Sequence, residues 1–167
     1  MPVLESPFAV LTGVVAPALL TNSSTVLVLG LGNRIARVVD RTRNVATVMA
    51  SVGENSELYP RLQQQAGLLK KRSQMLGKAL RLGYAAVGAF AAEALIAVLG
   101  GVLVHYEFFI AARVAALVAL AIGFASVGSL VSACVYMVHE TAMALDNLAE
   151  EAKTVMLEAS RPINKHS

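Results

Sequence analysis

The stretch LGYAAVGAFAAEALIAVLGGVLVHY, residues 82–106, holds one charged side chain, Glu93, in twenty-five positions. An α-helix rises 1.5 Å per residue, so about 20 apolar residues cross the roughly 30 Å of hydrocarbon in a bilayer. The run is long enough to span. Working outward from it, residues 6–33 and residues 114–138 contain no charged side chain at all. Three spans follow, near residues 17–36, 84–104 and 112–138. The whole chain agrees with this: 56% of its 167 residues are hydrophobic and 15% are charged. Mean hydropathy is +0.63. A soluble domain carries about 25% charge. One cysteine and five prolines exclude a disulfide scaffold and a collagen-like chain.

A cleaved signal peptide needs a basic leading region, and residues 1–8 offer only Glu5. The first segment is therefore expected to stay. Pro17 suits the first turn of a helix, where its missing N–H costs nothing, which makes residues 1–16 a short apolar lead-in at the outer interface. A longer helix, kinked at Pro17, is the competing reading.

Basic residues set orientation in a membrane. Ten lie between residues 33 and 82: Arg34, Arg37, Arg41, Arg43, Arg61, Lys70, Lys71, Arg72, Lys78 and Arg81. The loop of residues 105–111 has none. The expectation is a cytoplasmic segment 37–83, an outer N-terminus and a cytoplasmic tail, residues 139–167. Ile35, Val38, Thr42, Val45 and Met49 recur at helical spacing. Gly53, Asn55 and Ser56 supply a turn, and Leu58, Leu62, Gln65, Leu69, Arg72 and Leu76 make a stripe that leads into the second span. The predicted class is all-α: three transmembrane helices extended into a cytoplasmic helical bundle. Segment 33–82 carries net +7 and the tail net −2, so the tail helix is expected to pack along the basic hairpin by its apolar face (Met143, Leu145, Leu148, Ala152, Met156), until Arg161-Pro162 stops it. Exposed ion pairs add only ~0–1 kcal/mol each. Arg34, Arg37, Lys78 and Arg81 flank the spans and are expected to touch anionic lipid. No base-stacking platform accompanies the charges, so nucleic acid is not an expected partner.

Pro17-Ala-Leu-Leu20, Asn33-Arg34 and Asp40-Arg-Thr-Arg43, with Leu62, Gln65, Leu69 and Lys70-Lys71-Arg72 further on, resemble the bacterial membrane family DUF2721, proteins of unknown function. The likeness runs over most of residues 10–150. It implies an integral protein of the bacterial cytoplasmic membrane and brings no activity, cofactor or site. The polar run Thr21-Asn-Ser-Ser-Thr25 departs from the more aliphatic pattern of that family.

Glu93 is the sharpest feature of the spans. An ionised carboxylate near mid-bilayer costs several kcal/mol, and a protonated one can donate to a hydroxyl at similar depth: Ser126, Ser129 or Thr25. It either lines an ion path or fixes helix packing. Thr21, Asn22, Ser24 and Thr25 point all round a helix, so some must meet protein or water. Either they bond to neighbouring helices and i−4 carbonyls, or they line an outer vestibule. Small residues, Ala85, Gly88, Ala89 and Ala92 on one face and Ala121, Ala125, Ser129 and Ala133 on another, allow close backbone approach. Three helices leave no room for an internal path, so transport implies several copies, a homo-oligomer.

Several decoys fall away. Gly30-Leu-Gly32 begins a dinucleotide fingerprint whose third glycine is Ile35; the two glycines suit close packing instead. His139-Glu140 lacks a second histidine, and His105 with Glu107 is too small a set for a metal. Cys134 reads as a packing residue. No nucleophile–base pair stands out, so neither an enzyme nor a cofactor is expected. The leading expectation is an oligomeric small-ion channel or transporter. The rival is an accessory subunit whose helical stalk binds a larger protein complex.

Overall fold

The computed structural model describes residues 7–52, 56 and 58–159, although the side chains of 7–14 and several near the end of the last helix lie outside the description. Among the described residues there are three helices: α1 (Pro7–Val52), α2 (Tyr59–His105) and α3 (Phe109–Ala159). Each is long and apolar enough to cross a membrane. α1 and α3 each pack along α2, with only slight contact between themselves.

One spacing organises the packing. In α1 the buried positions Pro17, Ser24, Leu31, Val38 and Val45 recur every seven residues. In α2 Leu69, Leu76, Gly83 and Phe90 do the same, with Ala79 and Ala86 between them. In α3 the series is Ser126, Ala133 and Glu140. A seven-residue period keeps one seam facing its neighbour along helices that wind slowly around each other. The seam does not stop where the charges begin: Leu31, Val38, Val45, Leu69, Leu76 and Ala79 form one continuous cluster, with Tyr136 and Met137 of α3 against it. Hence the three helices run on, packed, past the charge-free stretches.

Outside that seam, all three helices present large uncovered apolar side chains in the charge-free region. Leu29, Leu95, Leu117 and Phe124 are 64%, 66%, 67% and 73% exposed. An uncovered apolar surface of this extent around all three helices is what hydrocarbon solvates and water does not.

The structure corrects several expectations. α1 starts ten residues before Pro17, so residues 7–16 are helix rather than a separate lead-in, and Pro17 is interior and buried; residues 1–6 lie outside the described residues. An interior proline costs about 3 kcal/mol in water, but in hydrocarbon a broken helix would strand more backbone groups than the one N–H that proline lacks. Gly30 and Gly32 face open space, while Gly83 makes the close approach: a methyl there would sit 2.8 Å from Val28 Cγ2. Ala85, Gly88 and Ala92 are exposed, because the α2 seam runs along Ala79, Gly83, Ala86 and Phe90 instead. On the tail of α3, Met143 and Asn147 are half-buried while Leu145, Leu148, Ala152 and Met156 are exposed, so of these residues of the apolar face expected to pack on the hairpin only Met143 is covered, and only in part. The seven-residue register, not the apolar residues themselves, decides which side turns in.

The two connections differ. Before α2 the cap position is Leu58, whose N–H is taken by Ser56 Oγ at 3.2 Å, and Pro60 follows within the first turn. Gly53, Asn55 and the Arg161-Pro162 stop lie outside the described residues. α2 ends in a pair of bonds, Phe108 N–H to Leu103 O at 2.9 Å and Glu107 N–H to Val104 O at 3.1 Å. This is a Schellman motif, and its left-handed position, φ 62°, is held by Glu107 where glycine is usual. Phe108 then accepts from Ala112 N–H and opens α3.

Candidate functional site

Two places carry unusual polar chemistry, and they stand at different heights on the bundle. The first is Glu93. Eleven residues of helix separate it from Leu82, so it sits roughly 16 Å inside the charge-free stretch. The α2 seam turns it toward α3, where Gly123 leaves a notch: a methyl at Gly123 would lie 2.7 Å from Glu93 Oε1. The carboxylate is half-buried and has neither hydrogen bond nor ion pair among the described residues.

The hydroxyls expected to meet it donate to backbone carbonyls, and none is bonded to Glu93. Ser126 is buried and donates to Ile122 O at 2.7 Å. Ser129 donates across to Leu82 O of α2 at 2.9 Å, a direct tie between two helices. In the polar run of α1, Thr21 donates to Pro17 O, Ser24 to Leu20 O and Thr25 to Thr21 O, at 2.8, 2.7 and 2.8 Å. A short hydroxyl on a helix reaches the i−4 carbonyl without leaving its own chain, and in oil that bond has no competitor from water. Ser24 turns into the seam, Thr21 is half-buried and Thr25 is exposed. Asn22 differs from all of these: it is exposed, and its amide has no partner among the described residues.

The second place is at the basic end of the bundle. Glu140, on the α3 seam one register step past Ala133, is 2% exposed. Arg72 of α2 gives it Nε at 2.8 Å and Nη2 at 2.7 Å, both to Oε1. Arg34 of α1 approaches Oε2 at 3.6 Å and donates from Nη1 to Thr141 Oγ1 at 2.9 Å. Thr141 in turn donates to Met137 O. One buried carboxylate thus joins all three helices. Both arginines come from basic clusters that the hydropathy pattern marks plainly, but Arg34 is an internal partner here and not simply a lipid contact. Arg37 and Arg81 are exposed; Lys78 is exposed and places Nζ 5.9 Å from the centre of the Tyr136 ring. The role of Glu140 was not read from the sequence. The available signal was its place in the series Ser126, Ala133, Glu140, where a charge stands at a position that elsewhere in the bundle is small or apolar.

Among the described residues no group of three or more His, Cys, Asp or Glu is arranged to hold a metal, and Cys134 is half-buried with a free thiol.

No curated protein and no solved structure matches the chain. Residues 14–150 match the family described as "Protein of unknown function (DUF2721)". The matched region takes in α1 from Val14, all of α2 and most of α3, with Glu93, the polar run and the three-helix ion pair inside it. On that match the chain belongs to the DUF2721 family.

Proposed function

We propose that this protein is a homo-oligomeric membrane protein that passes a small ion or proton, with Glu93 as the group the ion meets near mid-bilayer. The observation that carries the reading is the unpartnered Glu93 carboxylate inside an apolar belt. A charged or polar group there is costly unless something solvates it. The unpartnered Asn22 amide on the outward face of α1 supports assembly, since an amide left in hydrocarbon loses several kcal/mol and a neighbouring copy can restore its bonds. The exposed row Ala85, Gly88 and Ala92 gives such a neighbour a surface for close backbone approach. In this reading the protein lies in the bacterial cytoplasmic membrane, with the basic end of the bundle in the cytoplasm and the Tyr106–Phe108 turn outside. It works without a catalytic residue or cofactor.

The test is flux. The chain, reconstituted in proteoliposomes, is expected to dissipate a proton or monovalent-cation gradient. Glu93→Gln should reduce the rate at least tenfold, and Asn22→Ala should lower both assembly and flux. A well-formed oligomer with no flux, or flux indifferent to both changes, removes the reading.

A second reading has its own observation. Leu145, Leu148 and Met156 are exposed on α3 beyond the charge-free stretch, which suits an accessory subunit whose stalk binds a larger complex. Co-purification of a stoichiometric partner that Leu145→Glu abolishes would favour it.

A further inference from the structure

Four guanidiniums and one carboxylate meet at a single cavity at the basic end. Between the three helices lies an open cavity of about 440 Å³, lined by Arg34, Arg37 and Arg41 of α1, Arg72 of α2 and Glu140 of α3. With all of these ionised it holds four positive charges and one negative. Glu140 engages Arg72 and Arg34. Arg37 and Arg41 have no partner among the described residues. They follow Arg34 by three and seven residues, hence on the same face of α1.

A plain solvated face would let these side chains spread into water. Here they border a concavity that α3 lines on its third side, where an anion would relieve their mutual repulsion. The guanidinium fork matches the oxygens of phosphate, and such charge-assisted bonds are the strong ones. Val38, Leu69 and Leu148 supply an apolar wall. The site therefore suits a phosphate with an organic body attached better than a bare ion. Its height fits as well. Arg34 directly follows the charge-free stretch, and Arg41 lies about 10 Å further along, so in the proposed topology the cavity stands at the level of lipid headgroups.

We propose that this cavity is an anion site for a phosphate group on a small organic body, with Arg37 and Arg41 as its free donors. Glu140 is a positioning residue: it holds Arg34 and Arg72 at the back of the site. Roughly 30 Å of α2 separates Arg72 from Glu93, so this site stands apart from the proposed ion path and does not rest on it.

The shared chemistry is a phosphoester, from a lipid headgroup or from a soluble molecule, and two probes distinguish them. The full chain is placed in nanodiscs of phosphatidylcholine. Phosphatidylglycerol is added to the nanodisc and its retention read by native mass spectrometry, and glycerol 3-phosphate is titrated in solution by calorimetry. At least one probe should bind saturably. Arg37→Ala combined with Arg41→Ala should weaken it at least tenfold, because each lost charge-assisted bond is worth about a factor of ten. Lys70→Ala combined with Lys71→Ala, which removes two exposed charges outside the cavity, should change it less than twofold. Binding of phosphatidylglycerol alone assigns the site to lipid, and of glycerol 3-phosphate alone to a soluble ligand. Saturable binding of neither probe, or equal weakening by the two double variants, overturns the site.

Discussion

Glu140 stands where the seven-residue register places Ala133 and Ser126 one and two steps earlier, and it is tolerated there because two guanidiniums meet it. Breaking a buried pair from one side leaves charge without a partner; both arginines here keep some water, so the cost falls at the low end of that class. Glu140→Ala is expected to destabilise the fold by about 3 kcal/mol, measured by reversible unfolding in mixed micelles. Glu140→Met combined with Arg72→Met should recover most of that loss, because an apolar pair of similar size removes the stranded charge. Glu107 makes the opposite prediction. Its φ of 62° is left-handed, which costs a residue with a side chain about 1–2 kcal/mol. Glu107→Gly should therefore raise stability by about 1 kcal/mol in the same assay. At this scale the sequence was legible where the signal is local. Glu93 is visible as one charge in a long apolar run. The partners of Glu140 were not visible, because Arg72 is 68 residues away and Thr141, the other ligand of Arg34, is 107 residues from it.

Between elements, Gly83 of α2 lies close against Val28 of α1. Both positions lie on the seam, and the missing side chain at Gly83 lets the two backbones come together. Gly83→Ala puts a methyl 2.8 Å from Val28 Cγ2, an overpacking expected to cost about 1–3 kcal/mol. Val28→Ala in the same chain should restore much of it, and a double-mutant cycle of unfolding free energies measures the coupling. The three helices and the runs that carry them past the charge-free stretches could be read from hydropathy and spacing. Which face turns inward could not. Apolar residues occur on all sides of a helix in oil, so Ala85, Gly88 and Ala92 looked as suitable for the interface as Ala79, Gly83 and Ala86. Only the neighbour fixes the choice. The start of α1 was misplaced for a related reason: a proline signals a helix start in water, whereas hydrocarbon holds the helix together through it.

Taken as a whole, the molecule is a narrow three-helix seam whose charge-free part exposes leucine and valine on every helix, while its charged part ties the same helices together through Glu140. The division of charge along the length carries the proposed topology, in which a bilayer surrounds the first part and the basic second part lies in the cytoplasm. Substituted-cysteine labelling in intact cells tests this most directly, with Cys134→Ala as background and either Tyr106→Cys or Arg41→Cys added. A membrane-impermeant maleimide should modify Tyr106→Cys in intact cells, and Arg41→Cys only after the membrane is opened. Labelling of Arg41→Cys from outside, or full recovery of the chain in the soluble fraction without detergent, would contradict it.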